Sequence, residues 1–407
     1  MEPADLRIAL FSGNYNYTRD GANQALNRLV EYLLRVGITV RVYAPTVEQP
    51  AFPPTGELVS IPSVRLPVKG RGEYRLPLGL WGAPKADLEA FAPNIVHVSS
   101  PDPTAHAALR WARNRGVPVL ASVHTRFETY PRYYRAAFLE PMVEAGLRRF
   151  YQRCSALVAP SPSMVETLLQ QGMNRDVSIW TRGVDREVFN PARRDMAWRR
   201  SHGIGDDEVA VVFLGRLVME KGLDVFGDTI SCLKATGAPH RVLVIGDGPA
   251  RPWFEQAVPD AVFAGFQTGA DLGRALASGD VFFNPSITET FGNVTLEAMA
   301  CALPVVAAGA TGSTSLVTDG VTGRLVPPGQ PRAFANAIAP YCRDRALGER
   351  HGAAGLAKAR SYSWDSVNQA VVDTYLRLLG KSAERISAAP RAAASARHTT
   401  AAAPPRA

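Results

Sequence analysis

The sequence has little that would carry the chain into or across a membrane. Among its 407 residues, no apolar run approaches the roughly 20 residues that a bilayer-spanning helix needs. The first residues, Met1 to Asp5, lack the charged-then-apolar pattern of a secretory signal. We therefore expect a cytoplasmic protein, and peripheral association with the inner face of the membrane stays open.

Cysteine is scarce, and its positions exclude the usual cysteine chemistry. The chain has four cysteines, far apart and in no metal-binding spacing: Cys154, Cys232, Cys301 and Cys342. Buried thiols in a reducing compartment are expected, rather than disulfides or a zinc site. The chain also lacks a recognisable nucleic-acid-binding motif and the G-x-G-x-x-G fingerprint of dinucleotide-binding proteins. Nucleic acid is therefore not expected as a partner.

Acidic residues are fewer than basic ones, and the excess is uneven. The formal net charge is +8, and half of it comes from the residues after Gly380, which include five Lys or Arg and one Glu. Such a balance favours an anionic partner, and without a nucleic-acid motif an anionic membrane surface is the better candidate. The Ala, Pro, Arg and Ser residues of 381–407 cannot build a core, which predicts a disordered basic tail.

The length and the order of apolar segments predict more than one domain, since the chain exceeds one ordinary core. It opens with a strand at residues 6–11, a helix after the candidate N-cap Asp20, and a second strand from Ile38. This order indicates a parallel sheet, and a similar series begins at Val209. We therefore expect an α/β fold of two doubly wound, Rossmann-like domains. Ligands would bind at the carboxyl ends of the strands, in the cleft between the domains.

The domain boundaries are predicted from the same pattern. The parts are an N-terminal domain at 1–191, a linker at 192–204, a second domain at 205–360, an amphipathic helix at 361–380 and the tail at 381–407. The linker is assigned because residues 192–202 are polar and basic. The proline-rich stretch 45–82 is read as an irregular excursion with short edge strands.

Two glutamates flank a predicted helix start. Glu289 precedes the helix that Gly292 opens, and Glu297 lies on it. The first-turn amides of such a helix stand at the positive end of its dipole, which suits a phosphate. Here they belong to Phe291, Gly292 and Asn293. Two carboxylates beside an anion site indicate a polyol joined to a phosphate, such as a nucleotide sugar. Taken alone, the pair is better explained as a helix cap and a solvated helix residue.

Further candidate residues follow three predicted strands. Gly215-Arg216 and Lys221 follow the strand at 209–214, and these cations could hold a diphosphate and stabilise it as it leaves. The next strand ends in Gly246-Asp-Gly-Pro, a tight turn that a nucleotide could approach. His124 ends the strand at 117–123 and faces the predicted cleft, whereas His97, inside a strand, is expected in the core. Alone, each has an ordinary structural explanation.

In this order the motifs resemble the retaining glycosyltransferases of family 4. The resemblance covers about residues 5–380 and rests on Gly215-Arg-Leu…Glu-Lys-Gly222, Gly246-Asp-Gly-Pro249, Glu289-x7-Glu297 with the Ala-Met-Ala-Cys-Ala-Leu-Pro segment after it, and Gly183-Val-Asp…Phe-Asn-Pro191. Within the family, the chain looks closest to the lipid-directed mannosyl- and sulfoquinovosyltransferases. This finer resemblance rests on His124-Thr, the Tyr- and Arg-rich run 127–134 and Trp180-x-Arg-Gly-Val-Asp185. The resemblance implies the two-domain GT-B fold, with the last helix crossing back onto the first domain.

The resemblance also implies roles for the candidate residues. Arg216 and Lys221 would bind the donor diphosphate with the amides near Phe291 and Gly292. Glu289 would hold sugar hydroxyls, Glu297 the ribose, and His124 the transferred sugar. The loop 14–21 would lie over the phosphates and the acceptor. Two positions depart from the family pattern: only Gly21 remains of the usual Gly-Gly pair, and Arg182 stands where Asn is usual.

The expected function is transfer of a hexose, with GDP-mannose favoured as donor, to a hydroxyl of a lipid or glycolipid. Retention is expected by front-face attack, because no carboxylate is clearly placed as a nucleophile. Neither a cofactor nor a metal is expected, because Arg216 and Lys221 would neutralise the diphosphate and no Asp-x-Asp motif flanks the site. The basic, aromatic run 126–153, with Phe127, Tyr130, Tyr133 and Tyr134, could lie on anionic lipid or be a packed helix with a basic face. Three alternatives stay open: a UDP-hexose transferase with a polysaccharide or small-molecule acceptor, a nucleotide-sugar epimerase of the same fold, and an inactive donor-binding scaffold.

Overall fold

The computed structural model describes residues 3–18, 21–65, 74–129 and 137–388. Its first sheet has seven strands in the order β3-β2-β1-β6-β7-β8-β9. They are β1 Arg7–Phe11, β2 Thr39–Ala44, β3 Glu57–Ser60, β6 Ile95–Val98, β7 Val119–Ser122, β8 Ala156–Ala159 and β9 Val177–Ile179. All of its ladders are parallel. Between β3 and β6 along the chain, β4 Ser63–Arg65 pairs antiparallel with β5 Arg75–Pro77, inside the predicted excursion.

The second sheet repeats the arrangement with six strands in the order β12-β11-β10-β13-β14-β15. They are β10 Ala210–Leu214, β11 Arg241–Ile245, β12 Val262–Gly265, β13 Val281–Asn284, β14 Val305–Ala308 and β15 Gly323–Val326. These ladders are also parallel. In both sheets the strand order reverses beside the first strand, which is the doubly wound topology expected from the sequence.

Helices cover both sheets. In the first domain they are Gly21–Arg35, Gly82–Phe91, Pro103–Asn114, Glu140–Tyr151 and Pro162–Gln170. In the second half they are Met196–Ser201, Leu223–Ala235, Arg251–Ala257, Gly269–Ala277, Asn293–Ala300, Thr311–Leu316, Pro331–Arg343, Arg345–Ala359 and Trp364–Ala388. Local sequence sets several starts: Asp102 and Ser161 each cap a helix whose first residue is proline. The predicted cap Asp20 lies outside the described residues.

The last helix crosses back onto the first domain, as expected. Val371, Tyr375 and Leu378 belong to the same buried cluster as β1. Arg377 holds Asp176 with two contacts, of 2.5 and 3.0 Å. The apolar face of this helix therefore completes a core that begins near residue 6.

The same helix corrects the predicted tail, because it continues to Ala388. The sequence assigned residues 381–388 to a disordered segment after Gly380. One glycine inside a helix costs only about 1 kcal/mol relative to alanine, and Lys, Ala, Glu and Arg in this segment are good helix formers. Residues 389–407 lie outside the described part of the chain. Within that part, no helix carries an apolar stretch long enough to cross a bilayer.

The predicted linker is folded against the second sheet. Residues 191–193 form a 3-10 turn, and the helix Met196–Ser201 follows. Arg199 on this helix is fully buried and donates to Asp280 at 2.8 Å and to three backbone carbonyls at 2.6–3.0 Å. Asp280 also accepts from the amide of Ala210, where β10 begins. The basic composition therefore includes a buried cation that ties this segment to β10 and β13.

Replacing Arg199 tests this arrangement. Arg199→Met removes the guanidinium and leaves Asp280 and the three carbonyls short of a donor, so we expect the free energy of unfolding to fall by about 3–5 kcal/mol. Arg200→Met is the control, because Arg200 is 58% exposed and pairs with Asp206 on the surface, where such pairs contribute about 0–1 kcal/mol. Urea unfolding measures both. Equal losses in the two variants would contradict a structural role for Arg199.

Candidate functional site

The carboxyl ends of β10 and β11 bring the two glycine motifs into backbone contact. The Gly215 amide donates to Ile245 O at 3.0 Å, and the Leu217 amide donates to Asp247 O at 3.0 Å. Gly246 has a φ of 137°, and a Cβ there would collide with Gly215 O. Only glycine allows both this conformation and this approach. The predicted diphosphate motif and the predicted nucleotide motif therefore lie side by side.

The next strand at this edge, β13, leads to the helix that carries the glutamate pair. The helix begins at Asn293, and its N-cap, Gly292, has a φ of 97° and supplies no side-chain cap. The first amides of a helix have no partner within it, so an anion can be bound there. Gly312 shapes the preceding loop, because its amide donates to Glu289 O at 2.9 Å. A Cβ at Gly312 would lie within 2.8 Å of Glu289 O and Phe291 O.

Three of the predicted charged residues meet at this helix start. Lys221 Nζ lies 2.6 Å from Glu289 Oε1. Burial raises the pKa of Glu297 to about 7, and the neighbouring Glu289 carboxylate contributes to the shift. Thr288 donates to the carbonyl of Glu220 at 3.3 Å, which fixes the glutamate loop to the lysine turn. The site therefore holds a cation and two coupled carboxyl groups beside a helix dipole.

Arg216 is exposed one residue beyond Gly215, at the same edge. The arrangement as a whole can bind an anion through Lys221 and the helix amides. It can accept hydrogen bonds from hydroxyl groups through Glu289, once a ligand anion takes over Lys221. Glu297, with its raised pKa, can donate a hydrogen bond when protonated and accept hydrogen bonds when ionised.

Residues of the first domain contact the loop that carries Glu289 and the start of the helix after it. A Cβ on Gly21 would collide with Nδ2 of Asn293, so the N-terminal loop reaches the start of the helix. Thr290 Oγ1 donates to His124 O at 3.1 Å. Ser161 Oγ donates to Thr290 O at 2.7 Å. The predicted residues Gly21, His124 and Asn293 therefore share one interface, whereas no sequence pattern points to Ser161 or Thr290.

Both ring nitrogens of His124 have hydrogen-bond partners, which its position in the sequence does not indicate. Its Nδ1 lies 2.8 Å from Nη2 of Arg182, and its Nε2 lies 2.9 Å from Ser122 Oγ. Burial, together with the charge of Arg182, holds the pKa of His124 well below its usual range. His97 is a core histidine, as predicted: it is buried, contacts Tyr375 Oη at 2.6 Å, and burial lowers its pKa to about 3.

Comparison with known proteins gives consistent matches over both domains. A model described as Glycosyltransferase Family 4 matches residues 19–188, and one described as Glycosyl transferases group 1 matches residues 208–344. The chain is 31% identical to a GDP-mannose-dependent alpha-mannosyltransferase of Mycobacterium tuberculosis, over 92% of this chain and 98% of that protein. It is 34% identical to the sulfoquinovosyl transferase of Arabidopsis thaliana, over 71% of this chain and 58% of that protein.

A solved structure shows the same fold. The sucrose-phosphate synthase from Thermosynechococcus elongatus superposes with a TM-score of 0.74 at 20% identity, covering 92% of this chain and all of that one. At this identity the likeness concerns architecture alone. It confirms two facing Rossmann-like domains.

The raised pKa of Glu297 makes folding stability depend on pH. The neutral carboxyl is favoured in the folded state, so the free energy of unfolding should fall as pH rises from the ordinary value of 4.5 towards 7. The loss should be about 2–3 kcal/mol. Urea unfolding at pH 5 and pH 8 measures it. Glu297→Gln should remove this part of the pH dependence, and Glu289→Gln should reduce it. An unchanged pH dependence in Glu297→Gln would contradict the assignment.

Proposed function

The chain belongs to the family 4 glycosyltransferases, and from that premise we propose that it transfers mannose from GDP-mannose to a hydroxyl group of a lipid or glycolipid, with retention of configuration. The observation that carries the proposal is the cluster of Lys221, Glu289 and Glu297 at the start of the helix Asn293–Ala300. It offers binding groups for a diphosphate, a sugar and a ribose within one short stretch of surface.

The donor would displace the ion pair between Lys221 and Glu289. Its diphosphate would take Lys221, supported by Arg216 and by the amides of Phe291, Gly292 and Asn293, while Glu289 turns to sugar hydroxyls. Glu297 would bind the ribose, and Gly246 leaves room for the nucleoside. GDP-mannose is favoured because the relative that matches 98% of its own length is named for that donor. A UDP-hexose is the alternative, since base and epimer depend on a few loop contacts.

The chemistry follows from the charges. The bond between the sugar C1 and the diphosphate oxygen breaks, and Lys221, Arg216 and the helix dipole stabilise the negative charge that develops there. The acceptor oxygen forms its bond to C1 on the same face, and its proton passes to the departing diphosphate. His124 would lie beside the transferred sugar. Because protein cations neutralise the diphosphate, we propose that the reaction needs no metal ion and no cofactor.

A thermal-shift panel tests the donor. GDP-mannose, UDP-glucose, UDP-galactose, UDP-glucuronate, GDP and UDP are each added in EDTA and again with Mg²⁺. A ligand that binds only the folded state at 100 times its Kd stabilises it by about 2.7 kcal/mol. We expect GDP-mannose and GDP to raise the melting temperature, equally in EDTA and Mg²⁺.

Variants of two lysines make this panel specific to the site. Lys221→Met should abolish the shift, whereas Lys234→Met, which removes an exposed lysine paired with Asp260, should leave it unchanged. A shift with uridine nucleotides alone would indicate a UDP-hexose as the donor instead of GDP-mannose. No shift with any nucleotide would contradict the proposed donor site, and a requirement for Mg²⁺ would contradict metal independence.

The first domain presents an apolar and basic surface next to the helix Glu140–Tyr151. Phe138 is 80% exposed and Met142 is 65% exposed. Arg149 and Arg153 are exposed on the same segment. Exposed apolar side chains flanked by cations suit the interface of an anionic membrane, which would give access to a lipid acceptor. Phe127 packs against a core cluster, and Tyr130, Tyr133 and Tyr134 lie outside the described residues.

Flotation on liposomes tests this surface. The full chain should float with vesicles rich in phosphatidylglycerol and not with pure phosphatidylcholine, and 0.5 M salt should weaken the binding. Phe138→Ser with Met142→Ser should reduce flotation severalfold. Phe266→Ser is the matched control, because Phe266 is 64% exposed on the second domain. Equal flotation on neutral vesicles, or an equal loss in the control, would contradict the proposal.

A further inference from the structure

We propose that Arg182 is a positioning residue that fixes His124 as a neutral imidazole with its proton on Nε2. The arrangement of the ring follows from contacts within the protein itself. Only its consequence for transfer rests on the proposed function.

Arg182 follows β9 and is itself buried, with 4% of its surface exposed. Its Nη1 donates to Trp180 O at 3.0 Å and to Thr181 O at 3.1 Å. The guanidinium carbon lies 5.0 Å from the centre of the Trp180 ring. These contacts leave Nη2 aimed at Nδ1 of His124, at 2.8 Å. The guanidinium is therefore held by backbone and by a ring face, so its direction does not depend on the histidine.

The direction of this hydrogen bond decides the tautomer. A guanidinium has only donors, so Nδ1 of His124 must accept. A neutral imidazole carries one proton, which then sits on Nε2 and is donated to Ser122 Oγ at 2.9 Å. A second proton on Nδ1 would point at the N–H of Arg182. The geometry thus excludes both the other tautomer and the imidazolium.

The other groups around His124 also favour its neutral form. The rings of Trp180 and His124 pack edge to face, with their centres 5.4 Å apart. Trp180 makes a similar contact with His97, whose ring centre lies 6.1 Å from its own. Thr290 Oγ1 donates to the backbone carbonyl oxygen of His124 and not to the ring. Burial lowers the pKa of His124 first, and the charge of Arg182 and the presence of His97 lower it further. Burial also lowers the pKa of Arg182, to about 10, which leaves the guanidinium charged at neutral pH.

Arginine at this position does what asparagine cannot. An asparagine amide can offer Nδ1 of the histidine either its NH2 donor or its carbonyl acceptor, so both tautomers would find a partner, and it carries no charge. Arg182 offers a donor and a positive charge, so a single neutral tautomer results. In the proposed reaction, His124 could then donate a hydrogen bond through Nε2 but could not take the acceptor's proton through Nδ1. The proton would have to leave with the diphosphate.

Nitrogen NMR of the full chain tests the proposal without any substrate. The protein is labelled with ¹⁵N-histidine, and the His124 signals are assigned by their loss in His124→Gln. We expect Nδ1 to show the shift of an unprotonated nitrogen and Nε2 that of a protonated one, unchanged from pH 5.5 to 8.5. A mixture of tautomers, a proton on Nδ1, or titration of His124 within this range would overturn the proposal.

Three variants separate the role of Arg182 from simple packing. Arg182→Met should give a mixture of tautomers and raise the pKa of His124, whereas Arg182→Lys should restore the single tautomer. Ser122→Ala is the matched control, because it removes the Nε2 partner and leaves the guanidinium in place. A single Nε2–H tautomer in folded Arg182→Met would overturn the proposal. If that variant does not fold, loss of the single tautomer in Ser122→Ala would overturn it.

Kinetics give a second readout, which depends on the proposed function. Arg182→Met should lower kcat about 10-fold or more, while the Kd for the donor changes little. Arg182→Lys should recover most of kcat. If the unaltered protein shows no transfer at all, the proposed function fails, and the NMR result still decides the tautomer.

Discussion

The ion pair between Lys221 and Glu289 joins the segment after β10 to the loop after β13, the two strands that flank the switch point of the second sheet. The cation that we propose for the diphosphate and the carboxylate that we propose for hydroxyl groups thus satisfy each other. Neither charge is left without a partner. Ligand binding then exchanges one set of partners for another instead of burying new charge, which keeps its desolvation cost low.

The rest of the site is arranged around this pair by close backbone contacts. Gly246 lies against Gly215, and Gly312 lies against the loop of Glu289, so strand ends and loops approach to distances that a Cβ would prevent. Glu297 lies on the helix, and burial, together with the charge of Glu289, favours the neutral form of its carboxyl. The first domain contributes Gly21, Ser161 and His124 to the same loop. The proposed donor site is therefore formed by both domains.

Much of this could be predicted from the sequence, because strand ends and helix starts are marked by local patterns. The parallel strands, the glutamate pair and the lysine all follow from such patterns, and the structure places them together. The hydrogen bonds of Arg199 could not be predicted in this way, because its partner Asp280 lies about 80 residues further along the chain. The basic composition of this segment also indicates a solvent-exposed linker and not a buried cation. The extension of the last helix past Gly380 departs from the prediction, because the helix formers after the glycine outweigh its cost.

Arg182 was visible in the sequence as a departure from the family pattern, but its meaning depends on a contact with His124 across the first domain. A spacing in the sequence cannot show which nitrogen of a histidine faces a cation. The same limit applies to Ser161 and Thr290, whose hydrogen bonds join the two domains. A crystal structure with GDP-mannose or GDP tests the central claim most directly. The account predicts the diphosphate at Lys221 and the amides of 291–293, with the Lys221–Glu289 pair opened. A nucleotide bound elsewhere, with that pair intact, would contradict it.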